Sequence, residues 1–129
     1  YWAGTVPGLS DFYVANYGSM YGDDPVASVN DFFARYEARF GSRADTSYPL
    51  RGYSIVQAWA RAAEKAGSIE PAAVQAALDT FVDEPLEIGP TTFTPDLHIA
   101  TTRPMSLVQS QDGQFSSVGR VTVREFALQ

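Results

Sequence analysis

The side chains of this sequence that could do chemistry are few and scattered. Its one histidine, His98, follows Asp96 by two residues in "TPDLHIA", but a zinc site needs several ligands in fixed geometry. The stretch has the composition of a β-turn, and His98 reads as a turn residue. Asp83, Glu84 and Glu87 form an acidic cluster that lacks the Asp/Asn alternation and the glycine of a calcium loop. They read as a solvated loop. A serine or threonine nucleophile would have only His98 as an imidazole base, and GxSxG, P-loop and GxGxxG patterns are all missing. With no cysteine, thiolate catalysis, disulfides and cysteine zinc sites drop out. The reading is a non-enzymatic protein without cofactor or metal. One aromatic residue invites a different chemistry, because "SYPLRGY" sets Tyr48 directly before Pro49 at the entrance of an amphipathic helix. Either its ring is a hydrophobic staple against Gly52 or Tyr53, or it faces a ligand, offering rigid apolar area and a hydroxyl.

The elements that must hold these residues are legible from periodicity. "FYVANYG" (12–18) is aromatic and β-branched and predicts a strand, which "YGDDP" ends. Asp24 is placed as an N-cap with Pro25 at the first helical position. Val26, Val29, Phe32, Phe33, Tyr36 and Phe40 then recur as a buried face until Gly41. Asp31 and Arg35, four residues apart, mark the solvated side. A second helix is expected from Pro49 to Gly67 with an inward stripe of Tyr53, Val56, Trp59, Ala60 and Ala63, and a short third one from Pro71 to about Asp79. After residue 80 the texture turns β-like: "TTFT" (91–94), "MSLVQS" (105–110) and "FSSVGRVTV" (115–123), with Asp112-Gly113 as a hairpin turn.

Composition narrows the class. The 129 residues are 45% hydrophobic and 19% charged, as in one globular domain. Nine basic against fifteen acidic residues give a net charge of −6, which argues against a nucleic-acid partner. No stretch is long and apolar enough to span a bilayer, and "YWAGTVPGLSD" has neither the basic start nor the apolar core of a secretion signal.

Taken together, "DDPVASVNDFFARYEARFG", "YPLRGYSIVQAWARAAEKAGSIEPAAVQAAL" and "IGPTTFTPDLHIATTRPMSLVQSQDGQF" resemble, in order and spacing, the C-terminal part of branched-chain-amino-acid-type substrate-binding proteins of ABC importers. The resemblance implies an α/β chain with a partial type I periplasmic-binding-protein fold, three helices packed on a sheet with a C-terminal β-hairpin. Members are usually more than twice this length, so it also implies a fragment whose missing part is N-terminal. Residues 1–14 would end the second lobe, 15–104 would supply crossing segments and the C-terminal portion of the first lobe, and 105–129 would return as a hairpin to the second lobe.

The implied function is periplasmic: a small amino-acid-like or related polar molecule is held between two lobes and handed to an ABC permease. In the family, the position matching Tyr48 commonly carries an aromatic ring facing the cleft, and Ser47 and Arg51 would reach the same rim. Arg51 departs from the usual uncharged residue there, and either meets a ligand carboxylate or faces solvent. The groups that grip the ligand's carboxylate and ammonium in the family would lie in the missing part. Two alternatives stay open, a ligand-sensing domain of a regulator or receptor, and a fragment acting as a dimerising interaction module. The second follows because the apolar stripes of a partial lobe would lose some of their cover, which predicts a homodimer.

Overall fold

A computed structural model describes residues 5–100 and 102–122. Its contacts divide the chain into two compact units, one made of residues up to Arg51 together with Met105–Val121, the other of Gly52–Pro104.

The first unit is built on a three-stranded antiparallel sheet. β1 (Phe12–Asn16) pairs with β4 (Met105–Gln111), and β4 with β5 (Gln114–Val121), in the order β1-β4-β5. The β4–β5 turn is Asp112-Gly113, whose φ angles of 51° and 77° are both positive. That geometry matches the right-handed twist of the strands and favours an Asp-Gly pair. The turn is also tied down, since Gly113 N–H donates to the Leu9 carbonyl at 3.0 Å and Asp112 N–H to Ser10 Oγ at 2.8 Å. Gly113→Ala should therefore cost about 1 kcal/mol in chemical denaturation, because a Cβ is strained at positive φ. Along β4 the alternation is clean: Ser106, Val108 and Ser110 are buried, and Met105, Leu107 and Gln109 are half-exposed.

Helix α1 (Ala27–Phe40) lies in the same unit and ends at Gly41, whose φ of 74° lets its N–H reach the Glu37 carbonyl at 2.8 Å. Its start differs from the sequence expectation. Val26 is the extended N-cap, without a side-chain cap, and Asp24 is instead a buried residue of the preceding loop. The physical reason is long-range: the Asp24 carboxylate accepts from Ser19 N–H (2.8 Å), Val26 N–H (2.9 Å) and Arg120 Nε (3.0 Å) on β5. The carboxylate keeps its local bond to Val26 N–H but is shared with a guanidinium 96 positions away, and the helix begins two residues later than a cap at Asp24 would set it. The loop is closed by Asn30, which accepts from Asp24 N–H and donates to the Asp24 carbonyl, both at 2.9 Å. The apolar face of α1 is also narrower than expected. Val29, Phe32 and Phe33 are buried, Tyr36 is half-buried and Phe40 is exposed. Gly18 sets how closely the pieces meet, because a Cβ there would lie 2.6 Å from Val29 Cγ1 and 2.9 Å from Leu50 Cδ2.

Helix α2 (Tyr48–Ala66) begins one residue earlier than Pro49, so Tyr48 is its first residue. Gly67, at φ 61°, stops it. The stripe expected to be inward is outward: Tyr53, Val56 and Trp59 are about half or more exposed, while Leu50, Ser54, Ala58 and Ala62 are buried. The helix is apolar on two opposite sides, and periodicity alone does not choose between them. The small-residue side wins in the second unit because it lets backbone come close. Ser54 Oγ accepts from Ile88 N–H at 3.1 Å and Gln57 Oε1 from Glu87 N–H at 2.8 Å. These bonds seat a short antiparallel pair, β2 (Glu84–Leu86) and β3 (Gly89–Thr91), on the helix. The strand foreseen at "TTFT" thus ends at Thr91, although Phe93 N–H still donates to the Phe81 carbonyl at 3.2 Å. Helix α3 (Pro71–Leu78) starts with its proline as expected and buries Val74 and Ala77.

Candidate functional site

Ser47, Tyr48 and Arg51 come together at the C-terminal end of β1. Ser47 is buried at the entrance of α2, and its Oγ reaches Asn16 Oδ1 at 3.5 Å. Tyr48 is 64% exposed, with its ring 6.2 Å from that of Tyr17 and tilted by 47°. The Arg51 guanidinium lies over the other partner of this contact, 5.4 Å from the Tyr17 ring centre, a cation–π distance. Tyr17 is thus the contact that Tyr48 and Arg51 share, while Ser47 reaches the neighbouring Asn16. The sequence reading assigned Tyr17 to the strand over 12–18 and a crossing segment and not to the site, although an aromatic residue beside the close-packed Gly18 was the available signal.

Next to this group is a cavity of about 180 Å³ in the first unit, lined by the apolar Val14, Val108 and Phe115 and the polar Asn16, Asp45 and Ser47 among others. One wall is Tyr21, stacked on Phe115 at 5.7 Å and 8°, with the Arg43 guanidinium 4.9 Å from its ring. Burial pushes the Tyr21 phenol above its ordinary pKa of 10.0, against the pull of the Arg43 charge.

The other polar candidates lie in the second unit and serve the fold. His98 sits in a turn at φ 52°, with Nδ1 2.8 Å from Asp79 Oδ1 at the end of α3; that carboxylate, and not Asp96, is its partner. The acidic cluster is not simply a solvated loop. Glu84 belongs to β2 and pairs with Arg61 at 2.6 Å, Glu87 is half-buried, and Asp83, at φ 50°, donates its N–H to Thr92 Oγ1. Local text showed three acids but not the arginine on α2 that claims one of them. Among the described residues no three His, Asp or Glu side chains gather as metal ligands do. Zinc, calcium or EDTA should accordingly leave the melting temperature unchanged, whereas a metal bound far above its Kd would raise it by linkage.

The sequence model of one family, described as periplasmic binding protein, matches residues 3–114. The chain belongs to the periplasmic binding protein family. Its fold is similar to that of the leucine-binding protein LivK from Thermotoga maritima, with a TM-score of 0.68 at 15% sequence identity. The likeness covers 91% of this chain and 31% of that one, so the chain spans about a third of the length of that leucine-binding protein. The fold class read from the sequence, a partial type I periplasmic-binding fold of mixed α and β elements, is the one observed. No curated protein sequence matches. The family is one of binding proteins and not of enzymes.

Proposed function

We propose that this chain is part of the solute-binding component of an ABC importer, which holds a small amino-acid-like molecule between two lobes in the periplasm and delivers it to a permease. The observation that carries this reading is the convergence of Tyr48 and Arg51 on Tyr17, and of Ser47 on the adjacent Asn16, in a member of the periplasmic binding protein family. An exposed ring, a buried hydroxyl and a guanidinium make a surface suited to a small molecule with both apolar and anionic parts. That LivK is named a leucine-binding protein favours an amino acid as the cargo class. The lobe assignment is part of the proposal: residues 1–14 and the hairpin 105–129 belong to one lobe, and 15–104 supply the crossing segments and the C-terminal portion of the other. The pairing of Phe12, Tyr13 and Val14 with Ser110, Gln109 and Val108 favours grouping the end of the first segment with the hairpin, and Ala15 and Asn16 continue that ladder into the crossing.

The mechanism is closure without covalent chemistry. A ligand favours the closed state only by the contacts that state adds. Isothermal titration of the full-length protein against a panel of L-amino acids, with X-ray scattering in parallel, tests it. Saturable binding that shrinks the radius of gyration is the expected result; no binding by any amino acid would remove this function.

A further inference from the structure

We infer that Asp112-Gly113 is a latent modification site, open to isoaspartate formation and held shut by Leu9 and Ser10. It is the one Asp-Gly pair in the sequence, and glycine is the residue least able to shield its own nitrogen from the side chain before it. The reaction needs no partner. The Gly113 nitrogen attacks the Asp112 side-chain carboxyl carbon, a C–N bond forms, and the carboxyl's hydroxyl leaves with the amide proton as one water. Hydrolysis of the resulting succinimide puts a water back. At the side-chain carbonyl it restores aspartate, and at the main-chain carbonyl it gives isoaspartate. Composition is unchanged, but the backbone then runs through the side chain and is one carbon longer.

The structure engages both groups that must meet. Gly113 N–H, on the attacking nitrogen, donates to the Leu9 carbonyl at 3.0 Å. The carboxyl is tied as well: Ser10 Oγ donates to Asp112 Oδ1 at 2.9 Å and accepts from Asp112 N–H at 2.8 Å, one hydroxyl used in both directions. Behind these bonds, Ser110 Oγ, on a fully buried residue, donates to the same Leu9 carbonyl at 2.8 Å. The segment before β1 is thus bound to a turn 102 positions away. Burial gives no protection, since Asp112 is exposed and Gly113 half-exposed; the bonds do. Isomerisation would also reach beyond the turn. A two-residue turn matches the twist of its strands only in its own backbone geometry, and Phe115, paired with Ser110, stacks on Tyr21.

The test incubates the full-length protein in heavy-oxygen water at neutral pH and follows position 112 by peptide mapping, because succinimide hydrolysis leaves a heavy oxygen there. The chemistry is slow against local opening, so its rate follows the population of open turn. The folded parent should react at least about tenfold more slowly than the same chain unfolded in urea. Ser10→Ala, which loses both bonds of the hydroxyl, should isomerise about fivefold faster than the parent, and Ser10→Thr, which keeps the hydroxyl, should match the parent. Equal rates in folded and unfolded parent overturn the inference, as does a Ser10→Ala rate equal to the parent's or a Ser10→Thr rate equal to alanine's. Hydrogen exchange separates local from global opening. The amides of α1 should stay protected in Ser10→Ala, and a parallel loss of protection there would show unfolding of the whole unit and remove Ser10 as a local brace. Absence of isoaspartate even in urea would remove the site itself.

Discussion

Asp24→Ala should lower the folding stability by about 3 to 5 kcal/mol, the range for removing one partner of a buried ion pair and leaving the other charge behind. The Asp24 side chain is fully buried and that of Arg120 nearly so, with Arg120 Nη2 at 3.0 Å. The pair closes the loop before α1 onto β5, and the neighbouring Asp23 adds a bond from Ser117 N–H at 2.7 Å and one from the Ser19 hydroxyl. Two consecutive aspartates thus hold one edge strand. Urea denaturation of the variant against the parent measures the loss. Arg120→Met is the informative companion, because it strands the carboxylate without opening a large cavity, and it should cost a similar amount. A change below 0.5 kcal/mol in both would show that water replaces the pair without penalty.

The same residue sets an acid limit. Burial alone pushes the Asp24 carboxyl up, but the hydrogen bonds from Arg120, Ser19 N–H and Val26 N–H, with the Arg120 charge, hold it below its ordinary value of 3.8. A carboxyl lowered by folding stabilises the protein above its unfolded pKa, and that contribution is lost as the pH falls through the folded value. The stability gap between parent and Asp24→Ala should therefore be full at neutral pH and narrow below about pH 4.

Why Asp24 escaped the sequence reading says what such a reading contains. Asp-Pro before an apolar run satisfies every local rule for a helix start, and nothing local shows that the carboxylate is also held by a residue 96 positions later. The hairpin turn lies at the other extreme: Asp112-Gly113 needs nothing beyond its own φ angles, and was legible in full. Helix α2 falls between these cases. Its limits were nearly right, but a helix with leucine, serine and alanine on one side and tyrosine, valine and tryptophan on the other does not say which side meets a neighbour. At the site, Ser47, Tyr48 and Arg51 were nameable because a resemblance singled out one helix entrance. Tyr17 and Asn16 were not, because they reach that entrance only through the course of β1 and the residue after it.

Tyr48→Ala, in the full-length protein, should weaken ligand binding by about 1 to 3 kcal/mol, or roughly 5- to 150-fold in Kd, the cost of truncating an aromatic anchor. Its own stability cost should be small. The ring is 64% exposed, and its aromatic neighbour Tyr17 keeps the Arg51 guanidinium on its own ring when Tyr48 is removed. Exposed substitutions of this kind normally stay within about 0.5 kcal/mol. Affinity and stability therefore separate the two uses that the residues around Pro49 allow. A ligand-facing ring loses affinity at constant melting temperature, and a helix staple loses melting temperature at constant affinity. Tyr48→Phe refines the outcome, since it keeps the ring and removes the hydroxyl: affinity close to the parent assigns the work to the apolar face, and a loss matching that of alanine assigns it to the hydroxyl. Titration calorimetry and thermal melts on the same three preparations distinguish these cases. Unchanged affinity in Tyr48→Ala, with a lowered melting temperature, would remove Tyr48 from the site and leave the entrance of α2 with a structural function alone.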